Sequence, residues 1–141
     1  MVINKNILHD LKISIDNELQ SLIQILADDD TSEYFKMLEY HLGIPKQANL
    51  PNRGGKRIRP IIMLLCSNQN YSDSNWNKVI PAAAAIELLH NFSLIHDDIQ
   101  DNSDIRRNRL TVWKKWGIPQ AINAGDGLFS LANISLGNLN K

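Results

Sequence analysis

The chain has 141 residues, 43% hydrophobic and 21% charged, the size and balance of one soluble globular domain. Fifteen basic and fifteen acidic residues cancel, so no global field draws it to nucleic acid or to an anionic membrane. The single cysteine, Cys66, excludes an intrachain disulfide and a thiolate metal cluster, and no stretch reaches the ~20 apolar residues of a membrane span. Cys66 lies in the apolar run Ile61 to Cys66 and is expected to be a buried small hydrophobe. The N-terminal segment carries Asp10, Asp16 and Glu18 and has no apolar core of signal-peptide type, so a cytoplasmic location is expected.

The predicted elements are all helices. Ile7, Leu8, Leu11, Ile15, Leu19, Leu22, Ile23 and Leu26 recur at three- and four-residue spacing, the mark of an amphipathic helix. Asp28, Asp29, Asp30 and Thr31 read as a helix stop followed by an N-cap for a second helix, Ser32 to Leu42, which Gly43 closes. Gly43 to Gly55, with Pro45 and Pro51, is a loop. A third helix runs from about Arg57 to Cys66 or a little beyond, and Ser67 to Asn77 is polar and turn-like. A fourth begins near Pro81, a residue suited to a first helical turn, and continues through AAAAIELLHNFSLIHDDIQD. A link with arginines and tryptophans leads to a fifth, about Pro119 to Leu136. There is no strand pattern.

From Ala82 to Ile95 the fourth helix is apolar on nearly every side, so it needs neighbours all round. Five helices are few to supply them, and NISLGNLNK shows no cap or apolar closure. The chain is therefore expected to be part of a larger helical body, or to be covered by a partner.

That helix runs directly into Asp97, Asp98, Asp101 and Asp104, which fall within eight residues. Carboxylates this close repel one another, and Asp at a helix C-terminus opposes the dipole. A multivalent cation explains the cluster better than solvation does. Asp97 and Asp101, four apart, share a face, and Asp98 is rotated by about 100°. Magnesium fits best: it takes hard oxygen ligands and commonly one or two carboxylates plus phosphate. Zinc would want more nitrogen or sulfur.

Two basic clusters account for nine of the fifteen Lys and Arg: Arg53, Lys56, Arg57, Arg59, then Arg106, Arg107, Arg109, Lys114, Lys115. In GGKRIRP, Gly54 to Pro60, two glycines let backbone approach an anion, a helix start favours phosphate, and Lys56 and Arg59 add charge. His90, seven residues before Asp97, lies on the same helix face about 10 Å away. His96 is read as structural; His9 and His41 carry no signal.

Together, GGKRIRP, IELLHNFSLIHDDIQD, IRRNRLTVWKKWG and QAINAGDGLF resemble the trans-isoprenyl diphosphate synthases, or polyprenyl synthetases. DDxxD alone is shared with terpene cyclases; preceded by GGKxxRP and followed by RR it is specific. The resemblance implies an all-α antiparallel bundle of the isoprenoid synthase type, with residues 1–141 as about the N-terminal half of one domain. It implies condensation of isopentenyl diphosphate with an allylic diphosphate by Mg2+-assisted ionisation, in an enzyme that is commonly a homodimer. Asp97, Asp98 and Asp101 would be catalytic and hold magnesium. Lys56, Arg59, His90 and Arg107 would bind isopentenyl diphosphate, and Arg106 the allylic diphosphate. Asp104 would be accessory and Asp126 a packing or supporting residue. Phe92, five residues before Asp97, would floor the product pocket and set a C15–C20 length, as in farnesyl and geranylgeranyl diphosphate synthases. No second DDxxD is present, so the chain is expected to be inactive alone. The alternative is a non-catalytic partner subunit of a prenyl synthase; a terpene cyclase fragment would have no need of GGKRIRP.

Overall fold

The structure, a computed structural model, describes residues 5–26, 31–44, 54–67 and 73–139. Asp28, Asp29, Asp30, Arg53, Pro45 and Pro51 lie outside the described residues. Among the described residues there are six α-helices: α1 (Lys5–Leu26), α2 (Ser32–Leu42), α3 (Ile58–Ser67), α4 (Ile80–Gln100), α5 (Val112–Trp116) and α6 (Ile118–Gly137). A short 3-10 helix, Asp73–Lys78, overlaps the segment expected to be a turn. The all-α class holds, with one exception. Strands β1 (Ile105–Arg106) and β2 (Arg109–Leu110) pair antiparallel in the link after α4. Two-residue strands are too short for a period-2 pattern to show in sequence.

The periodic apolar residues form the core as expected. Leu11, Ile15, Leu19, Leu22 and Ile23 of α1 are buried in one core cluster with Leu38 and Leu42 of α2 and Leu88 of α4. Thr31 takes the N-cap position of α2, and Gly43, at φ 69°, ends that helix by donating to the carbonyls of Glu39 and Tyr40. Cys66, by contrast, is exposed. It stands beside Ile62, also exposed, on the outer side of α3, whose buried residues are Pro60 and Leu64.

Helices α4 and α6 form the most extensive contact in the fold. Both helices bury small residues, Ala82 to Ala85 in α4 and Ala121, Ala124 and Ala132 in α6. Small residues let the two axes approach. Ser135 Oγ donates to the Pro81 carbonyl at 2.8 Å, so the end of α6 meets the start of α4 and the pair is antiparallel. At the other end His96 lies where a Cβ on Gly125 would sit. Only glycine fits that position without moving the imidazole.

Four helices, α1, α3, α5 and α6, surround α4. Much of what surrounds α4 thus comes from this chain, although Leu89 stays 37% exposed. The more exposed apolar face belongs to α6, where Ile118, Ile122, Phe129 and Leu136 follow one helical stripe with 40–47% of each exposed. No helix among the described residues is long and apolar enough to cross a membrane.

Candidate functional site

The aspartates at the end of α4 separate into two kinds. Asp97 and Asp101 are exposed, one helical turn apart, with the Asp101 amide donating to the Asp97 carbonyl at 2.8 Å. Asp98 turns inward. Its side chain is 2% exposed, and Arg106 grips it with Nε 2.9 Å from both carboxylate oxygens and Nη2 2.9 Å from Oδ1. A planar fork on a carboxylate is the strong form of this pair. Two hard-oxygen donors therefore remain available on the outer face. Asp104 faces Lys114 at 3.1 Å. Among the described residues, no group of three or more His, Cys, Asp or Glu side chains could hold a metal ion.

The hairpin that delivers Arg106 has a two-residue turn, with Arg106 opposite Arg109. Arg107 (φ 51°) and Asn108 (φ 59°) both lie in the left-handed region, as a type I′ turn requires. Asn tolerates this conformation; Arg pays about 1 kcal/mol or more for it. The surrounding contacts hold it there. The Thr111 hydroxyl and the Trp113 indole N–H both donate to the Ser103 carbonyl at 2.9 Å. The Tyr40 hydroxyl donates to the Leu110 carbonyl at 2.8 Å.

Held in that way, Arg107 reaches back toward the Gly54–Pro60 segment. Together they line a cleft of about 200 Å³ with Gly55, Lys56, Arg59, Glu87 and His90 among its walls. A Cβ on Gly55 would come within 3.1 Å of Arg107 Nη2, so the glycine admits the guanidinium. One Arg107 nitrogen, Nη1, is buried with no hydrogen-bond partner among the described residues. Burial, followed by the nearby Arg57 cation, pulls the Arg107 pKa down.

Arg59 stands 3.1 Å from His90 Nε2. Because Arg can only donate, Nε2 must accept, which leaves the proton of the neutral ring on Nδ1. Burial first, and the Arg59 charge second, lower the His90 pKa. His90 and Asp97 share a helix face, but His90 belongs to the basic cleft.

Two site residues were not visible as such in the sequence. Arg57, one of four cations in a basic stretch, is buried. Its Nε donates to Asp16 at 2.8 Å, Nη1 to Glu87 at 2.7 Å and Nη2 to the Leu42 carbonyl at 2.9 Å. One side chain thus ties α1, the end of α2 and α4 to the cleft segment. His41, which carried no sequence signal, is buried at the end of α2. Burial, followed by Arg107, Arg106 and Arg109, drives its pKa to about 3.

Phe92 is half-buried, 4.8 Å from the His96 ring and 5.4 Å from the Phe129 ring. His96 also stands 3.5 Å from the exposed carboxylate of Asp126. These side chains join α4 to α6 on the Asp97 side of the molecule.

A family model described as polyprenyl synthetase matches residues 46–141. The chain belongs to the polyprenyl synthetase family. It is 52% identical over 83 residues to a geranylgeranyl diphosphate synthase of Methanosarcina mazei, covering 59% of this chain and 25% of that protein. Against a short chain isoprenyl diphosphate synthase of Methanocaldococcus jannaschii it is 40% identical over 132 residues, covering 94% of this chain and 34% of the relative. Geranylgeranyl pyrophosphate synthetase from Pyrococcus horikoshii superposes with a TM-score of 0.76 at 34% identity, over 92% of this chain and 36% of that one. Geranyltranstransferase from Thermotoga maritima gives 0.77 at 29%, over 94% and 46%. The expected kinship with short-chain trans-prenyl synthases, and the isoprenoid synthase fold, are borne out. The chain spans about a quarter to a third of the curated relatives it matches.

Proposed function

We propose that residues 1–141 form one wall of a short-chain trans-prenyltransferase that joins isopentenyl diphosphate to an allylic diphosphate. The observation that carries this is the basic cleft beside a pair of outward carboxylates on one helix. Arg107, Lys56 and Arg59 supply cationic donors for the isopentenyl diphosphate. His90 accepts from Arg59 and so holds that guanidinium in the cleft. Arg106 spends part of its fork on Asp98 and keeps its other N–H groups for the allylic diphosphate.

Asp97 and Asp101 suit Mg2+, which needs only one or two carboxylates when phosphate and water complete its shell. Bound there, Mg2+ would neutralise charge on a departing diphosphate. Asp98 contributes by fixing Arg106, and Asp104 and Asp126 are accessory. Phe92, against Phe129, would limit the growing chain. The exposed stripe of α6 supports the view that further helices complete the domain, and a homodimer of the full-length protein in the cytoplasm belongs to the same reading. A non-catalytic partner subunit would have no need of both clusters.

The test is turnover of labelled isopentenyl diphosphate and an allylic diphosphate by the full-length protein with Mg2+. Asp97→Asn and Asp101→Asn should each lower it by roughly 10²–10³-fold, as loss of transition-state charge stabilisation does. Turnover at the wild-type level in both would refute the assignment. Phe92→Ala in the same protein should lengthen the product on chromatography; an unchanged product removes Phe92 from the length-setting role. Robust turnover by residues 1–141 alone would overturn the need for a completing half.

A further inference from the structure

Glu87 presents an electrostatic difficulty. It is 3% exposed, it lines the cleft, and a carboxylate there would repel a phosphate ligand. It would also compete with that ligand for Lys56, Arg59 and Arg107. Two contacts answer it: the 2.7 Å bond from Arg57 and a 2.9 Å bond from Asn91 Nδ2. Only Arg57 brings an opposite charge. Arg57 is also held at φ 52°, a left-handed conformation that a non-glycine residue adopts at a cost. Its neighbours in sequence, Lys56 and Ile58, are exposed while Arg57 is buried. The side chain enters the core between two residues that face outward.

We propose that Arg57 is a positioning residue of the anion cleft: it neutralises Glu87 and pins the Gly54–Arg59 segment, so that Lys56, Arg59 and Arg107 act on a phosphate ligand and not on Glu87. The inference deepens the diphosphate reading of the cleft and rests on it. It assigns Arg57 no contact with substrate. Its work passes through the three cations.

The probe is inorganic diphosphate, with affinity measured by calorimetry on the whole chain for wild type, Arg57→Met and Arg57→Met/Glu87→Gln. The Met variant should bind about tenfold more weakly or worse, the size of one misplaced charge pair. The double variant, with both charges removed, should recover most of that loss. A folded Met variant within twofold of wild type, or a double variant no better than the single, would overturn the proposal.

A second readout separates this from the cleft reading itself. The charges that act on the His90 ring are Arg59, Glu87, Arg107 and Arg106. With Arg57 gone, the bare Glu87 charge should raise the His90 pKa by about half a unit or more in an NMR titration, and Glu87→Gln should reverse the rise. If wild type fails to bind diphosphate, the cleft reading falls, and the His90 titration alone decides the part played by Arg57. An unmoved ring overturns it. If Arg57→Met does not fold, Arg57→Lys takes its place, keeping the charge and losing the fork. Weakened diphosphate binding, or a raised His90 pKa, upholds the pinning role; wild-type values in both end it.

Discussion

The basic cleft and the acidic face sit on the same helix and are built in opposite ways. Asp97 and Asp101 need only a helix: four residues of spacing puts both on the outer face, and solvent surrounds them. The cleft needs a fold. Its cations come from the segment that leads into α3, from the first turn of α3 and from a hairpin after α4, and a buried guanidinium joins that segment to α1, α2 and α4. One region depends on a register that α4 sets alone, the other on tertiary contacts. Damage should therefore reach them unequally.

The largest effect is expected at Arg57. Arg57→Met leaves Glu87 buried without its charge partner, which costs roughly 3–5 kcal/mol in comparable cases. Urea denaturation should show that loss, and the double variant with Glu87→Gln should recover much of it. Acid comes next. The His41 pKa in the fold is about 3 against an ordinary 6.5, so the unfolded chain binds the extra proton first as pH falls. Stability from this residue is fully present above pH 6.5 and is lost progressively toward pH 3. The urea midpoint should fall across that window, and His41→Gln should flatten the fall.

Gly125→Ala tests the acidic side of the same helix. The new methyl must displace the His96 ring, and overpacking of this kind costs about 1–3 kcal/mol. Thermal denaturation gives the measure, with His96→Ala as the compensating second change. The smallest effect on stability should come from Asp97→Asn with Asp101→Asn. Both side chains are exposed, so the unfolding free energy from urea denaturation should change by no more than about 0.5 kcal/mol. A large loss there would mean that the acidic face is a structural part of the fold, and the contrast drawn above would fail.

The sequence disclosed the acidic face more fully than the cleft, for the same physical reason. Helical periodicity is local, so α1, α2, α4 and α6 and the Asp97–Asp101 alignment were readable, as was the Gly43 stop. GGKRIRP suggests an anion site, but its three charged side chains look alike in one dimension. Only packing distinguishes buried Arg57 from exposed Lys56 and Arg59. Asp98 looks like its neighbours in sequence because its partner, Arg106, lies on a hairpin whose two-residue strands leave no pattern. The apolar run around Cys66 points to the core, yet the residue lies on the outer side of α3. Gly125 gave no hint of the imidazole beside it.

The two-residue turn at Arg107 and Asn108 acts as a ruler. Arg106 and Arg107 are consecutive, yet one reaches Asp98 and the other the cleft. A single residue inserted at that turn would break the pairing of Arg106 with Arg109 and turn Arg107 out of its left-handed corner. The turn's length should tolerate change far less than its exposure on the surface suggests.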